Sequence, residues 1–120
     1  MTEKKSFKGE FEAFQSTYRA DSERAKVRYR SISALVEGLR CETQPRDFKL
    51  TVDERTLLGG TDQGPNPMEL ILTALGACQE ITYRLYADLL GIPLHGVVVD
   101  VTGDVDLGDL SAVLEEHLRP

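Results

Sequence analysis

The stretch "NPMELILTALGACQEITYRLYADLLGIP", residues 66–93, constrains this chain more than any other. Asn66 suits a helix N-cap. Pro67 suits the first helical position, where its missing N–H costs nothing, and Glu69 follows the cap by three, as in a capping box. Gly91 and then Pro93 stop the helix. More than twenty residues of helix are therefore set between two end signals. Ile71, Ala74, Leu75, Cys78, Thr82, Leu85 and Leu89 share one face. Glu80, Arg84 and Asp88 lie opposite, as an i, i+4 charge ladder of the kind that marks a solvated side. The pattern predicts that Cys78 looks inward, under whatever covers the apolar stripe.

The flanking segments supply candidate covers. Phe48, Leu50 and Val52 alternate with Lys49, Thr51 and Asp53, as in a half-buried antiparallel strand, and "PRDF" (residues 45–48) reads as the turn before it. In "AKVRYRSISALVEGLRCETQ" the alternation slips. Val27 and Tyr29 share one parity and Ile32, Ala34 and Val36 the other, which predicts a bulge or bend near Arg30–Ser31. Val97, Val99 and Val101 form one face of a further strand. Phe7, Phe11, Phe14 and Tyr18, at spacings of four, three and four, place an aromatic stripe on an N-terminal helix, with "DSER" (residues 21–24) as the turn after it. Alone this helix is marginal, so the stripe must dock on something, a second subunit being one option. "GDLSAVLEEHLRP" shows no convincing closing element. The reading is an α+β chain: a helical arm over residues 1–25 and one domain over 26–120.

Composition narrows the function classes. With 120 residues, 41% apolar and 28% charged, the chain has the balance of one globular domain. A net charge of −6 argues against a nucleic-acid partner, whose phosphates need a positive field. The uncharged run between Glu69 and Glu80 is too short to span a bilayer. The lysines of "MTEKKSFKGE" lack the apolar stretch of a signal peptide. Two cysteines are too few for a disulfide framework. Together these predict a cytoplasmic protein without a membrane partner, whose cysteine chemistry is catalytic or redox-sensing.

Among features able to carry chemistry, "GGTDQGPNP" feeds a helix N-terminus, where anions bind. It lacks the Gly-Lys-Ser/Thr ending of a phosphate loop, and Asp62 and Glu69 repel anions, so a turn that delivers the helix is the better reading. His95, His117, Cys41 and Cys78 have no metal-ligand spacing. Asp100, Asp104, Asp106 and Asp109 lack the closing glutamate of a calcium loop, because Ser111 stands there. No metal and no cofactor is expected. Cys78 is either a small buried hydrophobe or a reactive thiolate. It lies beyond the first turn, where the helix dipole fades, so a thiolate there needs a cation from elsewhere in the fold, with arginine the usual choice.

"GGTDQGPNPMELILTALGACQE" resembles the signature of the OsmC/Ohr superfamily, the osmotically induced and organic hydroperoxide resistance proteins. "LTVDE" before it and "YADLLGIPL…VVVDVTGDVDL" after it extend the likeness over roughly residues 27–120. The resemblance implies an α+β fold with antiparallel strands wrapping long central helices, in an intertwined homodimer with active sites between subunits. It further implies that Cys78 is a peroxidatic thiol reducing organic hydroperoxides, restored by a thiol reductant. The family's resolving cysteine lies in a second helix that this chain does not reach, so the domain reads as C-terminally incomplete, and Cys41 does not match the resolving position. One branch pairs an arginine of the N-terminal hairpin with a glutamate ten residues before the cysteine. Here that position is Met68, and Glu69 reads as a capping residue. Arg46 matches the arginine best and Arg40 is the alternative. The other reading of the same residues is a non-catalytic dimeric binding module, or a truncated relic, with Cys78 as core filler.

Overall fold

The structure, a computed structural model, describes residues 6–118. The first lysines and the closing Arg-Pro lie outside the described residues. As expected, the chain is α+β. Helix α1 (Lys8–Ala20) and a short 3-10 turn (Ser22–Ala25) precede a three-stranded antiparallel sheet of β1 (Ser31–Glu37), β2 (Arg40–Pro45) and β3 (Leu50–Val52), in the order β1-β2-β3. Helix α2 (Pro67–Leu89) and helix α3 (Leu107–His117) follow.

The sheet is a local meander. Gly38, at φ +57°, makes the β1–β2 turn, a conformation that spares glycine the Cβ penalty. Irregular pairing falls between Leu35 and Glu37, next to this turn. The expected slip near Arg30–Ser31 is instead the start of pairing: Lys26–Arg30 precede β1 and join no ladder. The β2–β3 turn is "PRDF", closed by the Phe48 N–H donating to the Pro45 carbonyl at 3.1 Å. Arg46 sits there in the left-handed region at φ +55°.

Both ends of α2 follow their local signals. The Asn66 side chain accepts from the Glu69 N–H at 2.8 Å, and the Glu69 carboxylate accepts from the Asn66 N–H at 3.0 Å. Gly91 adopts φ +70° just past the end. Helix α1 carries the aromatic stripe, with Phe11 on Phe14 at 5.9 Å and Phe14 against Tyr18 at 4.4 Å between ring centres. Its start is held by α2 of the same chain. Asp88 Oδ2 accepts from the Phe7 N–H at 2.7 Å and the Ser6 hydroxyl at 3.3 Å, and the Arg84 guanidinium lies 5.6 Å over the Phe7 ring.

Three expectations need correction. "GDLSAVLEEH" does form an element, α3, with Asp106 accepting from the Gly108 and Asp109 N–H groups as its N-cap. Residues 97–101 keep the burial alternation of a strand, with Val97, Val99 and Val101 half-buried and Val98 and Asp100 exposed, but pair with no neighbour among the described residues. The apolar stripe of α2 is not the side covered within the chain. Residues 97–101 pack along Leu72 and Gly76, and α1 is anchored at Arg84 and Asp88, so the charge ladder lies on the covered side.

One chain encloses little. Val52 and Ala87 are the buried large or small apolar side chains that form a core among the described residues. The radius of gyration is 20.4 Å, against about 14 Å for a compact chain of this length. The accessible surface is 10334 Å², against about 6,500 Å² for a folded monomer of this mass.

Candidate functional site

The Gly-rich loop before α2 is built around a carboxylate that sequence reasoning had placed on a solvated strand face. Asp53, only 2% exposed, directly follows β3. Its Oδ2 accepts from the Thr61 hydroxyl at 2.6 Å and from the Gln63 and Thr61 N–H groups at 3.2 and 3.3 Å, while Oδ1 accepts from the Glu54 N–H at 2.7 Å. The Thr61 hydroxyl and these N–H groups hold the carboxyl below its ordinary range, against burial, which pushes it up. The Asp53 N–H in turn donates to the Pro65 carbonyl and the Asp62 N–H to the Glu54 carbonyl. A Cβ on Gly60 would fall on the Glu54 carbonyl, and one on Gly64 on the Thr51 carbonyl, so the glycines permit backbone contact that no side chain would allow. The loop's inward N–H groups are spent on Asp53 rather than on an external anion. Its product is a rigid junction between β3 and the first turn of α2. The one sequence signal for it is an aspartate just past a strand end and six residues ahead of the first loop glycine, Gly59.

From that junction α2 carries Cys78 to mid-helix. The sulfur is exposed in the single chain, correcting the expectation that it faces inward. Cys78 is two residues from Gly76, about 200° around the helix, so the crevice of about 520 Å³ between Leu72, Gly76, Glu80 and residues 98–101 lies on the other side. Ile71 and Leu75, on the turns before Cys78, and Ile81, three residues on, are likewise exposed. The helical wheel grouped Ile71, Leu75 and Cys78 on one face; what it could not show is which face the rest of the chain covers. Cys78 thus stands on an open apolar surface rather than on the floor of a closed pocket.

Neither arginine makes a hydrogen bond to Cys78 within one chain. Arg40 opens β2, with Nη2 3.5 Å from Glu37 and Nε 3.9 Å from Glu42, and its Nε is buried without a hydrogen-bond acceptor. Arg46 projects from the "PRDF" turn with its guanidinium 4.9 Å over the Phe48 ring. It also borders two adjoining hollows on the sheet, of about 620 and 690 Å³. Cys41 is half-buried on β2 opposite Val52 and Leu35, and both thiols are free. Glu69 is occupied by the capping box, as expected.

Among the described residues no group of His, Cys, Asp and Glu could hold a metal, and His117 Nδ1 lies 2.9 Å from the Val113 carbonyl oxygen. No helix among them is long and apolar enough to cross a membrane. No curated protein matches the chain. Residues 60–118, from the second loop glycine through α3, match the family model described as OsmC-like protein. With that match on the glycine junction, the cysteine-bearing helix and the valine segment after it, the chain belongs to the OsmC family.

Proposed function

We propose that the chain is a thiol peroxidase acting on organic hydroperoxides, with Cys78 as the nucleophile and a second copy of the chain completing the site. The observation that carries this reading is the placement of Cys78: a free, accessible thiol on a rigid helix of an OsmC-like domain, amid exposed Ile71, Leu75 and Ile81. In the reaction the Cys78 thiolate attacks the distal oxygen of the hydroperoxide. An S–O bond forms and the O–O bond breaks. The alkoxide leaves and takes a proton to become the alcohol, while the cysteine is oxidised to sulfenic acid and later reduced by an external thiol. The apolar residues would hold the alkyl part by hydrophobic burial. A guanidinium beside the sulfur would favour the thiolate and orient the peroxide. Arg46 suits this role better than Arg40, because Arg40 already faces Glu37 and Glu42 and Arg46 projects from an exposed turn. Since neither is bonded to Cys78 within one chain, the arginine would come from the partner copy.

The test is intact mass after one equivalent of cumene hydroperoxide or of hydrogen peroxide, with a sulfenic-acid trap present. The expected result is one adduct on Cys78, formed faster with the organic oxidant, absent in Cys78→Ser and retained in Cys41→Ser. Equal rates with both oxidants would remove the apolar site. No adduct at all would leave a non-catalytic dimeric module. A two-proton mass loss without an adduct would assign Cys41 as a resolving thiol.

A further inference from the structure

Helix α1 is pinned to the rest of the chain at its start, and its aromatic stripe is open. The Phe7 N–H and the Ser6 hydroxyl donate to Asp88, and the Arg84 guanidinium lies over the Phe7 ring. The Phe11 N–H donates to the Phe7 carbonyl at 2.9 Å, so Phe7 keeps helical register with the residues after it. Past this anchor no residue of α1 is buried, and Phe11 and Phe14 are 37% and 53% exposed.

A matching stripe starts at the same anchor. Asp88, Leu85, Ile81, Cys78 and Ala74 recur at three, four, three and four residues, running back along α2. Leu85, next to the anchor, is half-buried, whereas Ile81, Cys78 and Ala74 are exposed. On α1, Phe7, Phe11, Phe14 and Tyr18 recur at four, three and four. Laid antiparallel along α2 from the Phe7–Asp88 contact, α1 brings the two stripes level. At about 1.5 Å per residue, Phe11 lies about 6 Å from the anchor and Leu85 about 4.5 Å. Phe14 and Ile81 both lie about 10.5 Å away, and Tyr18 at about 16.5 Å comes beside Cys78 at about 15 Å. Each stripe takes seven residues for two turns, so the two stay in step, as paired helices require. Helix α1 then ends at Ala20, about level with another small residue, Ala74.

We propose that α1 is a hinged strap, pivoting at Asp88, that closes along α2 of its own chain and covers Cys78 with Tyr18. Closing takes Phe11 and Phe14 out of water against Leu85 and Ile81. Opening frees the thiol for a hydroperoxide or a reductant. The anchor favours this occupant over a free helix, because it fixes the register and holds the stripe at a high local concentration. The swing is taken up by residues 21–30, a 3-10 turn and an extended segment that together reach up to about 33 Å. The inference rests on Cys78 as the reactive thiol of the proposed function and adds what controls access to it.

The experiment uses the full chain carrying Cys41→Ser with Tyr18→Cys. Its control carries Cys41→Ser with Ser16→Cys, a position on the opposite face of α1. Both are oxidised with diamide and resolved by non-reducing denaturing electrophoresis and intact mass. The expected product is an intrachain disulfide to Cys78, formed roughly tenfold or more faster from Tyr18→Cys than from Ser16→Cys. Equal rates, as from an arm without register, would overturn the inference, and so would no crosslink or one that joins two chains. In a second measurement, iodoacetamide should alkylate Cys78 roughly tenfold faster in Cys41→Ser/Phe14→Ser than in Cys41→Ser, because the closed strap loses a buried ring. An unchanged rate would equally overturn it. Phe14 is exposed in the open arm, so its loss leaves the rest of the fold in place. Neither readout needs peroxide turnover. A Cys78 that crosslinks as expected but forms no sulfenic adduct would refute the peroxidase and leave the strap standing.

Discussion

Dilution is the perturbation that most directly tests how this chain completes its core. The single chain exposes 10334 Å², about 3,900 Å² more than a compact monomer of its mass would. Two copies hiding that excess would bury about 8,000 Å² between them, beyond the ordinary range of obligate dimers. Folding and association would then be one transition. For two 120-residue chains the unfolding enthalpy near 60 °C is about 170 kcal/mol of dimer, at roughly 0.7 kcal/mol per residue. With that enthalpy, mass action lowers the thermal midpoint by about 6 °C for each hundredfold dilution. The assay is circular dichroism at 222 nm from 100 μM to 1 μM, with the mass in solution measured by sedimentation. A midpoint that stays constant, together with a compact monomer, would refute the reasoning and with it the placement of the active site between copies.

Three further outcomes are expected. Because the folded pKa of Asp53 lies below its unfolded value, its stabilising effect should be complete above the ordinary aspartate range and lost as pH falls through the folded value. Thermal midpoints from pH 7 to pH 3 should therefore fall more steeply for the parent chain than for Asp53→Asn, which should start lower, and parallel curves would disprove this. Gly64→Ala puts a methyl group on the Thr51 carbonyl and should cost about 3 kcal/mol or more in urea unfolding, whereas Gly91→Ala, with open space around it, should cost only the left-handed backbone penalty of about 1 kcal/mol. Asp88→Ala removes the acceptor for the Phe7 N–H, so amide exchange should rise across the first turn of α1 and stay unchanged in the middle of α2.

What was legible in the sequence was local. The capping box, Pro67 and Gly91 act within a few residues, so both ends of α2 could be read directly. The "PRDF" turn and the aromatic stripe are of the same kind. Helix α3 was missed although Leu107, Leu110, Leu114 and Leu118 repeat at three, four and four, because Asp106 was weighed only among the acids of a calcium loop and not as a helix cap. The orientation of Cys78 and the burial of Asp53 were not local. Amphipathicity says which residues of α2 travel together, but the face covered within the chain depends on where residues 97–101 and α1 land. Asp53 is polar on an alternating strand and so looked solvated; only the donors of a loop eight to ten residues on make its burial affordable.

The left-handed backbone at Arg46 separates two quantities that mutagenesis usually confounds. An L-residue with a Cβ there carries a conformational cost of about 1 kcal/mol, which glycine would not. Its guanidinium returns roughly half of that or more through the exposed Phe48 ring. Arg46→Gly removes both, so the two changes should nearly cancel and the unfolding curve should barely move. The substitution is therefore close to silent for the fold while deleting the cation outright. A fall in the rate of Cys78 oxidation in that variant could be read as chemistry alone, with no correction for lost structure.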